Sequence, residues 1–150
     1  MKLIFAALAG LLLLLVGSGC QSFSKLPSGN LAEVTILNQP DAAIMQATTN
    51  VFVSHGFSVA NQAADQCTFR RPGTRADNIA YGNSLFDEKV TLQVVVQIDR
   101  LDAQSAVLGC KANLVQEAND PFFSDSHPVG RFSRSPYEEM LKDVKTQLGQ

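Results

Sequence analysis

The segment from Lys89 to Asp99 alternates more strictly than any other in the chain. Val90, Leu92, Val94, Val96 and Ile98 fall on one side; Thr91, Gln93, Gln97 and Asp99 fall on the other, interrupted only by Val95. Successive side chains of a strand point to opposite faces, so this segment needs one dry face and one mostly wet face. Strands of a parallel sheet are buried on both faces and read as continuous apolar runs. The alternation therefore predicts a mostly antiparallel sheet covered on one side.

The remaining segments supply that sheet and its cover. Glu33 to Leu37 is a short β-prone run. Asn38-Gln39-Pro40-Asp41 opens a helix, because proline suits a first helical position and an aspartate favours the positive end of the helix dipole. Ile44, Ala47, Val51 and Phe52 give that helix one apolar face, and Gly56 is its expected stop. Phe57-Ser58-Val59 and Gln66 to Arg71 alternate as strands, with Ala63-Ala64-Asp65 as a hairpin connection. Ala106 to Gln116 returns as a strand after a turn at Asp99 to Ser105. A last helix is expected from Ser135 as N-cap, with Pro136 at the first helical position and Glu138 closing a capping box. Tyr137, Met140, Leu141, Val144 and Leu148 line its apolar face. The order β-α-β-β-β-β-α predicts an α+β fold, a two-layer sandwich with both amphipathic helices on one face of the sheet.

The N-terminus is an address rather than part of that fold. Met1 and Lys2 precede an unbroken apolar run, Leu3 to Val16, shorter than the ~20 residues that span a bilayer as a helix. Small residues follow, and then Cys20. The stretch Leu15-Val16-Gly17-Ser18-Gly19-Cys20 resembles the lipobox of bacterial lipoproteins: Ser18 and Gly19 match its small positions, whereas Gly17 stands where leucine is usual. The resemblance implies cleavage before Cys20 and acylation of that cysteine, which anchors the protein to a membrane through its lipid chains. Gln21, rather than an aspartate, implies an outer-membrane destination where the cell has two membranes. The expected domains are a signal peptide at 1–19, the lipidated cysteine and a flexible tether at 20–32, and a single α+β domain at 33–150. The helix–Gly-Phe–strand–hairpin order also loosely resembles small domains of other envelope lipoproteins.

An exported chain meets an oxidising compartment. With Cys20 set aside, Cys67 and Cys110 remain, and a disulfide between them is open if their strands are immediate neighbours; otherwise they are buried free thiols. Twelve basic and fourteen acidic residues give a net charge of −2, a balance that offers nucleic acid no general basic field. No Gly-x-Ser-x-Gly elbow or phosphate-cradling glycine turn occurs in the chain. Asp120, Asp125 and His127 fall close together but without a calcium-loop pattern, and His55 falls at a helix end, so neither metal nor cofactor is expected. Arg70, Arg71 and Arg75 form a small basic cluster of the kind that grips a carboxylate or phosphate bidentately, although a solvated strand end is the more common origin of such a cluster.

These features point to an envelope lipoprotein with a non-catalytic domain that binds a protein partner or a small ligand. The alternatives are an enzyme acting on envelope polymers through Asp77, Asp120 and Asp125, and a structural spacer of the envelope. Two segments, Pro72 to Glu88 and Glu117 to Arg134, exceed ordinary connections and lack periodicity. If the strands at Lys89 and Ala106 form a hairpin, both segments meet at one end of the sheet. The expected binding surface there comprises Arg75, Tyr81, Phe122, Phe123, His127 and Arg131, since arginine and aromatic residues are the usual anchors of interfaces.

Overall fold

The computed structural model describes residues 29–81, 90–116, 126–130 and 133–150. Cys20, Phe122, Phe123, Arg131, Asp120 and Asp125 lie outside the described residues, as does the side chain of Tyr81. The elements run β1 (Ala32–Leu37), α1 (Asp41–Ser54), β2 (Ser58–Gln62), β3 (Gln66–Pro72), α2 (Arg75–Tyr81), β4 (Val90–Arg100), β5 (Ser105–Gln116), β6 (Ser126–Pro128) and α3 (Ser135–Gln147). The fold is α+β, as the strand alternation requires: one antiparallel sheet in the order β1-β5-β4-β3-β2, with β6 also pairing β5. Strand β5 pairs with β4 along its length. On its other side it takes β1 against Ser105–Cys110 and β6 against Asn113–Val115.

The dry face carries the core. Phe69, Val94, Val96, Leu108 and Cys110 are buried beneath Ile44, Met45 and Phe52 of α1 and Leu141 and Val144 of α3. Helix α1 packs on β2 and β3; α3 packs on β1 and on α1. Phe52 stacks on Phe69 with ring centroids 4.6 Å apart. The end of α1 is set by Gly56 at φ +82, a left-handed conformation in which glycine avoids a Cβ clash. Gly56 N–H donates to Val53 O at 3.0 Å and Phe57 N–H to Phe52 O at 3.1 Å, the paired bonds of a Schellman motif. The motif brings Phe57 edge-on to Phe52 at 5.6 Å.

Helix α3 ends the same way. Gly149 sits at φ +77, and the N–H groups of Gly149 and Gln150 reach Thr146 O and Lys145 O. The Gln150 amide is thereby delivered to β1, where its Oε1 accepts from Leu37 N–H at 3.0 Å and its Nε2 donates to Leu37 O. The entry to α1 is held by Arg100, whose Nε donates to Asp41 Oδ1 at 2.8 Å and whose Nη2 donates to Gln39 O at 2.7 Å.

Several expectations change. The sheet starts at Ala32, and Leu31 N–H already donates to Cys110 O at 2.8 Å, so strand pairing reaches into the stretch read as tether. The segment expected as one long loop after β3 contains α2, and the one after β5 contains β6. Ser135 does not cap α3. The helix starts from Arg134, whose carbonyl accepts from Tyr137 N–H and Glu138 N–H, and Glu138 lies 2.6 Å from Arg134 Nε instead of closing a box with Ser135. That ion pair lacks hydrogen-bond alignment, since Arg134 Nε has no hydrogen-bond partner. The disulfide is absent: Cys67 and Cys110 are free thiols, because β4 lies between their strands.

Candidate functional site

The alternation that buries Cys67 and Phe69 continues to Arg71, which places an arginine on the dry face of β3. The register then aligns Arg71, Leu92, Leu114 and His127 in one row across β3, β4, β5 and β6. Residues directly opposed in an antiparallel pair share a face, so two leucines lie between two basic side chains. A row across four strands spans about 14 Å.

Above this row the helical layer leaves a cleft of about 460 Å³. Its floor is Leu92, Leu114 and Met140, all nearly buried. One wall comes from Thr74 and Asp77, and the opposite one from Pro128, Val129, Gly130 and Ser133. These are parts of the two long segments singled out in the sequence, and they meet at one end of the sheet. Arg75 is exposed at the start of α2, between Thr74 and Asp77 of the wall; His127 is exposed beside Pro128. Neither Arg75 nor His127 lines the cleft itself; each adjoins a wall residue in the chain.

Three side chains set the chemistry of the cleft. The guanidinium carbon of Arg71 lies 4.7 Å from the centroid of the Phe57 ring. Among the described residues, no carboxylate or carbonyl accepts a hydrogen bond from it. Tyr137 is 6% exposed, and burial pushes its hydroxyl up to about 12 despite the opposing pull of Arg71. The hydroxyl thus stays protonated and able to donate. Asp77 is already engaged: its Oδ2 accepts from Thr74 N–H and from Thr74 Oγ1, each at 2.7 Å, and Asp77 N–H donates back to Thr74 Oγ1 at 3.2 Å. This reciprocal pair is a capping box that starts α2.

The other reactive groups are placed elsewhere. His55 Nε2, at the rim, stands 3.7 Å from Asp143 Oδ2, beyond hydrogen-bond length. Burial raises the Cys110 thiol to about 12 and also raises Cys67, where a bond to Thr49 partly opposes it. Both are therefore poor nucleophiles. Among the described residues, no three His, Cys, Asp or Glu side chains converge as metal ligands.

Of the basic cluster, Arg71 is half-buried on the dry face of β3, whereas Arg70 and Arg75 are exposed. The signal was available: three inward positions, Cys67, Phe69 and Arg71, follow at a spacing of two. The signal for α2 was Thr74-x-x-Asp77, a capping box with little helix after it. Tyr137 was legible only as a core residue of α3, since nothing local tells which part of that face the sheet covers. The chain matches no protein-family model and shows no significant similarity to any curated protein.

Proposed function

We propose that this chain is a lipid-anchored protein of the cell envelope whose α+β domain is a non-catalytic binding module, with the cleft over Leu92 and Leu114 as its binding site. The observation that carries the binding role is the construction of the cleft. Its floor is apolar sheet and its walls come from both long inter-strand segments, with a few polar groups converging on it, the usual build of a ligand site. The anchor rests on the sequence: the expected signal peptide, 1–19, stops just before Cys20, and two or more acyl chains suffice for stable membrane attachment. The partner or ligand would approach beside Arg75 and His127.

Two measurements test the proposal in intact cells. Mass spectrometry of the mature N-terminus should find Cys20 acylated, and Cys20→Ser should leave the precursor uncut or release the protein from the membrane. An unmodified Cys20 at the mature N-terminus overturns the anchor. A photo-crosslinking residue at Arg75 or His127 should capture a specific partner or ligand, whereas one at Leu101, at the other end of β4, should not. Equal capture at all three positions, or none at any, overturns the assignment of the cleft.

A further inference from the structure

We infer that the cleft selects a singly charged carboxylate carried on an apolar body, and that Arg71 is the group that selects it. The inference rests on the reading of the domain as a binding module and names its ligand class. The guanidinium of Arg71 is held over Phe57 at 4.7 Å, at the edge of the leucine floor. The face of an aromatic ring attracts a cation but accepts no conventional hydrogen bond, so the planar N–H fork remains available to a carboxylate. Of the two carboxylates that line the cleft, Asp77 has its Oδ2 tied to Thr74, and neither Asp77 nor Glu139 is hydrogen-bonded to Arg71. The buried hydroxyl of Tyr137, protonated throughout the physiological range, supplies a further donor.

Charge decides between oxyanions. Among the described residues, Arg71 is the only permanently cationic side chain lining the cleft, and the carboxylates of Asp77 and Glu139 line it as well. Both carboxylates repel any anion bound there, but a phosphate dianion meets that repulsion with two charges and a carboxylate with one, so the monoanion is the oxyanion a single guanidinium can hold. The floor then decides the rest of the ligand. Leu92 and Leu114 follow Arg71 in the same row at one and two strand spacings, about 5 and 10 Å, so an aliphatic body whose carboxylate meets the guanidinium lies first on Leu92 and, if longer, on Leu114. A free aliphatic acid and the C-terminal residue of a polypeptide share this chemistry.

The test uses the full-length protein in nanodiscs with labelled arginine, following the Arg71 Nε–H resonance, assigned by its loss in Arg71→Lys. The probes are hexanoate and acetyl-alanyl-leucine, each compared with its uncharged amide. Saturable movement of the Arg71 resonance is expected with an acid, and binding at least about tenfold weaker with its amide. Followed on the labelled methyl groups of Leu92 and Leu114, Arg71→Gln should cost a similar factor, while Lys111→Gln, exposed on the opposite face of β5, should cost none. Preference for hexanoate points to a free acid as the natural ligand, and preference for the dipeptide to a chain terminus. If Arg71→Gln fails to fold, Tyr137→Phe replaces it, with a several-fold loss expected. Equal binding of acids and amides would leave the cleft a binding site but overturn carboxylate selection. Absence of saturable movement with either acid overturns the inference, while the crosslinking result still decides the binding role separately.

Discussion

Cys67 on β3 and Cys110 on β5 stand in one cross-strand row with Val96 of β4 between them. Two strand spacings of ~4.8 Å exceed the ~7 Å Cα separation that a disulfide tolerates, so the intervening strand keeps both thiols reduced. In the Cys20→Ser chain, two thiols should titrate after unfolding without reductant. Neither should react in the native protein, since both are fully buried and their ionisation is suppressed. A count of zero after unfolding would mean a bridge and a different strand order.

Gly56 holds the turn that carries Phe57 to Phe52 and to Arg71. Gly56→Ala places a Cβ on a residue at φ +82, with no neighbouring atom within 4 Å to clash, so its cost is conformational. A left-handed alanine costs about 1–2 kcal/mol. Thermal unfolding should show a fall of several degrees, and the variant should still fold.

Gly73 and Gly109 should respond differently to alanine. A Cβ at Gly73 would come 2.7 Å from the backbone carbonyl oxygen of Val90, which β4 holds in place. A Cβ at Gly109 would meet the Asn30 amide, the end of a side chain that can swing away. Gly73→Ala is therefore expected to cost about 1–3 kcal/mol, as an overpacked site does, and Gly109→Ala less than about 1 kcal/mol. Denaturant midpoints of the two variants give the comparison, and the reverse order would contradict the placement of Gly73 against β4.

Tyr137 and Cys110 both have ionisations raised by burial, from 10.0 and 9.0 to about 12. Each is neutral when protonated, so between the unfolded and folded values the native state holds a proton that the unfolded state has lost. Their contribution is complete below about pH 9 and declines as pH rises towards 12. The slope is about 1.4 kcal/mol per pH unit for each group inside its window. Tyr137→Phe should make the decline between pH 10 and 12 shallower and leave the segment from 9 to 10, which belongs to the buried thiols Cys110 and Cys67. Unfolding by denaturant across this range measures both.

Much of the fold was legible because it is local. The alternation of β4, the apolar stripes of α1 and α3 and the glycine after α1 depend on residues a few positions apart. Even so, α2 escaped notice: seven residues carry too little periodicity to register, and a helix that short depends on its cap and on packing for stability. The expected cap at Ser135 failed for a related reason, since Arg134 competes for Glu138.

What the sequence determined by itself is which face of each element is dry, and that a side chain at position 71 follows Cys67 and Phe69 inward. What only the tertiary structure decided is neighbourhood. A period of two says which way a residue points, but not which strand lies beside it. The placement of β5 between β1 and β4, the separation of Cys67 from Cys110 by Val96, and the meeting of Arg71, Phe57 and Tyr137 over two leucines all arise from contacts between residues distant in the chain. Such contacts are set by which surfaces bury best together.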